Sequence, residues 1–196
     1  MIKYFFRFNI VLLFKILIFE LIYLGKNFNF YYIKSNNNKY FDHVPSPYYY
    51  LNSIYKDINK NELKKKYFID IGCGTGRVLN FFFERGFKNI IGVEQSKEAL
   101  KIFKKKNIFK QIKTFNQDIL KYNFPQSSLI VYMYNPAPKK IIKKLITKLK
   151  KRKFKDLTIL YLSPIYLELF DKKYFKIIKK AYDSKFRGYV ILKKIK

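Results

Sequence analysis

Three acidic residues, each placed at or just past the end of an apolar run, are the first feature of this chain able to do chemistry. Asp70 follows Tyr67-Phe68-Ile69, Glu94 follows Ile90-Ile91-Gly92-Val93, and Asp118 lies in Asn116-Gln117-Asp118-Ile119. After Asp70 the chain continues Ile71-Gly72-Cys73-Gly74-Thr75-Gly76-Arg77, and an apolar segment with helical spacing opens at Val78. This pattern predicts a buried parallel strand that turns sharply into a helix. A turn that offers backbone N–H groups to a ligand needs positive φ and no Cβ in the way, which glycine provides.

The spacing selects the ligand class. A dinucleotide loop, G-x-G-x-x-G, would place its third glycine where this chain has Arg77, so NAD does not fit. An acid at Asp70 would repel a docked pyrophosphate and attract a cation that carries no phosphate. S-adenosylmethionine, with its sulfonium and ammonium, is such a ligand, and a carboxylate at Glu94 can chelate both ribose hydroxyls.

With these residues the chain resembles the class I S-adenosylmethionine-dependent methyltransferases. The resemblance implies that Asp70, Gly72, Cys73, Gly74 and Gly76 surround the methionine part of the cofactor. It implies that Glu94 holds the ribose and Asp118 bonds the adenine amino group, with Gln95 and Ile119 beside them as further cofactor-binding residues. Over roughly residues 44 to 180 the chain is similar to a small bacterial group of such enzymes, through VPSPYYYL, FIDIGCGTGRVL, GFKNIIGVEQS, LIVYMYNP and ILYLSPIYLELFD. In that group the fourth strand ends in Asn-Pro-Phe, whereas this chain has Asn135-Pro136-Ala137. A second resemblance is to membrane-anchored lysine methyltransferases, through the apolar N-terminus, HVPSP, DIGCGTGRV and AYDSKFRG. It points to protein lysine as the acceptor.

The expected chemistry is an in-line displacement at an activated methyl carbon, for which the protein supplies alignment and dehydration. Asn135 and Pro136, after the strand Leu129 to Tyr134, are the candidate catalytic residues. The Asn135 side-chain oxygen and the Pro136 carbonyl can accept hydrogen bonds from an amine and aim its lone pair. Asn135 thereby also borders the cofactor, and Tyr134 and Tyr48 are candidate walls of the cleft. A turn residue before proline is the plain alternative for Asn135.

The elements that must position these residues alternate as a doubly wound sheet requires. The expected fold is α/β and Rossmann-like, a mostly parallel seven-stranded sheet ending in a C-terminal antiparallel hairpin, with helices on both faces. Prolines 45 and 47 precede a helix from about Tyr49 to Asn59. Ser96 caps a helix over Lys97 to Lys106, and a basic amphipathic helix runs from Lys139 to about Lys151 with Ile142, Leu145, Ile146 and Leu149 inward. Strands follow from Ile112 to Phe115 and from Leu157 to Leu162, with a short helix from Ser163 to Phe170. The hairpin pairs Phe175 to Lys180 with Tyr189 to Leu192.

A chain of 196 residues, 49% hydrophobic, fits one domain with a real core. We place that domain at residues 44 to 196, after a linker at 25 to 43. Residues 1 to 24 are dominated by large apolar side chains and read as a possible membrane anchor, spanning or interfacial, although Arg7, Lys15 and Glu20 interrupt them. The alternative is a helix packed on the domain. A cytosolic cofactor places the domain in the cytoplasm.

The net charge of +29 would attract nucleic acid or anionic lipid, but the excess is nearly all lysine and travels with abundant Asn, Ile, Phe and Tyr, as compositional drift would produce. A protein or small-molecule acceptor is therefore preferred over nucleic acid. A non-catalytic cofactor-binding module is a further alternative. Cys73 is the single cysteine and His43 the single histidine, so neither a zinc site nor a Cys/His pair is expected.

Overall fold

The structure, a computed structural model, describes residues 10–23, 44–184 and 187–196. The linker and His43 lie outside the described residues. A seven-stranded sheet in the order β3-β2-β1-β4-β5-β7-β6 forms the centre. Its strands are β1 (Tyr67–Ile71), β2 (Ile90–Glu94), β3 (Lys113–Asn116), β4 (Ser128–Met133), β5 (Asp156–Leu162), β6 (Phe175–Ser184) and β7 (Arg187–Lys194). The first five pair in parallel, and β7 runs antiparallel to both β5 and β6.

The helices are α1 (Ile10–Tyr23), α2 (Tyr48–Asp57), α3 (Lys60–Leu63), α4 (Arg77–Phe83), α5 (Lys97–Lys106) and α6 (Lys139–Lys151). Strand alternation divides the core in two. Phe68, Tyr132 and Leu160 face one side with Leu51, Leu79, Phe82 and Phe103. Ile69, Val131 and Ile159 face the other, where α6 buries Ile142, Leu145, Ile146 and Leu149. Each such aliphatic side chain contributes about 1.5–3 kcal/mol when fully buried.

The chain builds β1, β2 and β3 outward on one side, then crosses back to lay β4 against the other edge of β1. The carboxyl ends of β1 and β4 therefore diverge into a crevice, the place where open sheets of this kind bind ligands.

Three expectations change. The helix expected from Ser163 to Phe170 is a single 3-10 turn, Leu167–Leu169, because Ser163 takes φ 47 and breaks helical geometry at its start. The hairpin is longer than its apolar runs: Asp183, Ser184, Arg187 and Gly188 lie within β6 and β7 rather than between them. The third change concerns the N-terminal segment. Its described helix has 14 residues, and among the described residues no helix is long and apolar enough to cross a membrane. α1 packs on the domain instead: Phe19 meets Tyr49 edge-on and Tyr23 stacks on Tyr48 with centroids 4.4 Å apart. The Glu20 carboxylate accepts from Arg77 Nη1 at 2.8 Å and from the Tyr48 backbone N–H at 2.9 Å.

Candidate functional site

The glycine bend starts where β1 leaves the sheet. Gly72 N–H donates to the Val93 carbonyl at 2.8 Å and Gly76 N–H to the Cys73 carbonyl at 2.9 Å. Both glycines have positive φ, 73° and 85°. A Cβ on Gly72 would lie 2.9 Å from Pro136 Cβ, and one on Gly76 would collide with the Phe103 ring at 2.1 Å. The bend therefore abuts the Asn135-Pro136 loop directly across the crevice and seats α4 tightly against α5. Arg77, the first residue of α4, lies buried over the Tyr48 ring at 4.5 Å and also donates to the Ser46 carbonyl at 3.3 Å.

The three acids end three adjacent strands or follow them. Asp70 is buried on the α4 side of β1, opposite Tyr132 in register, and its Oδ2 has no hydrogen-bond partner. Burial, reinforced by the nearby Glu94 charge, pushes its carboxyl well above the usual carboxylate range. Glu94 takes the Gly74 N–H on Oε2 at 2.9 Å and the Ser96 N–H on Oε1 at 2.7 Å, so it braces the bend while each oxygen keeps a further lone pair. Asp118 Oδ1 accepts from the Leu120 N–H at 2.9 Å, turning the chain after β3. Gln95 is exposed and its carbonyl accepts from Asn116 Nδ2 at 2.8 Å, while Ile119 is buried. Cys73 is buried, and burial with the Asp70 and Glu94 charges pushes its thiol up, which makes it a poor nucleophile. Among the described residues no group of three or more His, Cys, Asp or Glu is placed to hold a metal ion.

Across the crevice, Asn135 stands at φ 41, a left-handed conformation. Its Oδ1 accepts from the Tyr161 hydroxyl at 2.7 Å and its Nδ2 donates to the Ser163 carbonyl at 2.6 Å. The amide is thus held in one orientation, and Oδ1 is already engaged rather than wholly open to an amine. Ser163 is itself left-handed, so two strained residues end neighbouring strands and lock each other. Sequence reading missed Tyr161 and Ser163, because nothing local marks a bond between residues 26 and 28 positions apart. Of the two expected wall residues, Tyr134 is partly buried beside Ser163. Tyr48 is not an open wall: it is buried between Tyr23 and Arg77, and its hydroxyl is pushed up to about 12 chiefly by that burial.

Residues 68–152 match the family described as the methyltransferase domain. That stretch, from β1 to the end of α6, is similar to methyltransferase domains. Solved structures agree on the fold. A putative methylase from Haemophilus influenzae is 14% identical with TM-score 0.58, covering 74% of this chain and 97% of its own. A putative RNA methyltransferase from Pyrococcus horikoshii is 17% identical with TM-score 0.58, covering 88% and 92%. The StiE O-MT segment is 16% identical with TM-score 0.53 over 67% of this chain, and the chain spans about half of that segment's length, 53%. No curated protein matches. The methyltransferase family implies S-adenosylmethionine as methyl donor, and the site fits a cation: a carboxylate with an orphaned, buried oxygen lies beneath the bend.

Proposed function

We propose that this chain is a methyltransferase that holds S-adenosylmethionine between the glycine bend and the ends of β1, β2 and β3, and receives its methyl-accepting substrate at the Asn135-Pro136 loop. Asp70 carries the reading. A buried carboxylate with one oxygen left unpartnered is costly to keep charged, and a cationic ligand at the bend offsets that cost. In this reading Asp70 and the backbone of Gly72, Cys73, Gly74 and Gly76 hold the methionine part, Glu94 and Gln95 the ribose, and Asp118 and Ile119 the adenine.

The donor, when bound, supplies a methyl group already activated on sulfur. The chain's own task is alignment. Asn135, held by Tyr161 and Ser163, keeps a second lone pair on Oδ1, and with the Pro136 carbonyl it can receive N–H groups and orient a nitrogen lone pair. An amine such as a protein lysine side chain suits that arrangement. A nucleic-acid acceptor is the second reading, favoured by the net charge of +29 and by a Pyrococcus neighbour described as a putative RNA methyltransferase.

Two measurements test this. Calorimetry on the purified chain is expected to detect S-adenosylmethionine and its demethylated product; uptake of a nicotinamide dinucleotide or a nucleoside triphosphate instead would overturn the cofactor assignment. Labelled donor incubated with cell extract is then expected to leave label that protease releases and nuclease does not. Label released by nuclease selects the second reading, and tight binding with no label transfer reduces the chain to a binding module.

A further inference from the structure

Helix α1 has two apolar faces, and the domain uses only one. Leu12, Ile16, Phe19 and Tyr23 turn inward, with Glu20 among them bonded to Arg77. At 3.6 residues per turn, Ile10, Phe14, Leu17, Ile18, Leu21 and Ile22 fall in one sector on the opposite side. All are exposed, from 43% at Ile18 to 77% at Ile10. No polar residue interrupts that sector. Lys15 stands at its margin and Glu20, the single acid of the helix, faces the protein, so neither of these two charges breaks the strip. A monomeric soluble protein rarely leaves so continuous an apolar strip uncovered.

Charge decides among the possible covers. A second copy would bring a net +29 against the same charge, whereas an anionic surface is attracted by both the lysines and the apolar strip. The fourteen described residues of the helix rise about 21 Å, against the roughly 30 Å of a hydrocarbon core. We propose that α1 lies in the plane of an anionic bilayer surface, outer face down, with Lys15 reaching back to the headgroups. Glu20 then ties the membrane-bound helix to Arg77 and so holds the glycine bend about one helix diameter, roughly 10 Å, above the surface. This inference stands independently of the methyl-transfer reading.

The chain contains no tryptophan, so Phe14→Trp gives a single reporter on the outer face and Ile108→Trp a control on an exposed loop after α5. Each full-length variant is titrated with vesicles of phosphatidylcholine alone or mixed with phosphatidylserine, some with brominated acyl chains. With the mixed vesicles, Phe14→Trp is expected to shift to the blue and be quenched by bromine, while Ile108→Trp stays unquenched. Adding Leu17→Asp and Leu21→Asp is expected to weaken partitioning at least tenfold with the unfolding midpoint held. Three results overturn the proposal: no quenching of Phe14→Trp, equal quenching of both reporters, or Phe14→Trp emission already blue before vesicles are added. The last would mean the strip is covered by a second copy or by the chain itself, which sedimentation tells apart.

Discussion

At the scale of single residues, Asp70 concentrates the cost and the use of the site. Its pKa lies well above the ordinary 3.8 because burial and Glu94 disfavour its charge. For an acid raised in this way the folded state binds the proton more tightly than the unfolded chain. The contribution to stability is complete below the ordinary value and is lost as pH rises through the raised one. Binding of a cation has the opposite sign, since it needs the ionised form. We therefore expect affinity for S-adenosylmethionine, measured by calorimetry, to climb with pH across that same window. Asp70→Asn should flatten that climb and weaken binding at least tenfold, about 1.4 kcal/mol. The same variant, free of ligand, should unfold no earlier than wild type on heating at pH 8. Gly72→Ala is expected to impair binding for a different reason: its Cβ would press on Pro136 from a left-handed backbone. Asp70 was legible from its place at the end of an apolar run, whereas the clamp of Tyr161 and Ser163 on Asn135 was not.

The secondary elements divide by how local their causes are. Helix α6 was readable to the residue because its apolar positions recur at helical spacing and each is buried where expected. Leu145→Ala should cost about 2–5 kcal/mol in a denaturant titration, as a large-to-small change in a closed core does. The extent of β6 was hidden, because its outer residues carry lysines and its two register shifts break simple alternation. The packing of α1 on the domain was legible only as the alternative to an anchor, and its ion pair was hidden. Glu20 looked like an interruption of an apolar run, yet it is a half of a buried ion pair whose side chains are 14% and 2% exposed. Glu20→Ala leaves Arg77 without that carboxylate and should lower stability by about 3–5 kcal/mol, read from thermal unfolding.

For the whole molecule, the order of strands gathers a list of acids into one candidate site. Asp70, Glu94 and Asp118 come together because β1, β2 and β3 are neighbours, and Asn135 faces them because β4 returns to the other edge of β1. The charge of +29 acts at the same scale, as a property of the whole surface rather than of one residue. If it reflects composition alone, duplex nucleic acid should bind without sequence preference, and its affinity in a salt titration should fall linearly on a log–log plot. Sequence alone determined the alternation of strands and helices, the glycine bend and the acids beside it, since periodicity and turn chemistry act over a few residues. The tertiary structure decided that Asp70 has an orphaned oxygen, that Asn135 is clamped, and that α1 turns its acid inward and its apolar strip outward. Each of these depends on contacts between residues far apart in the chain, and those exist only once the sheet has been assembled.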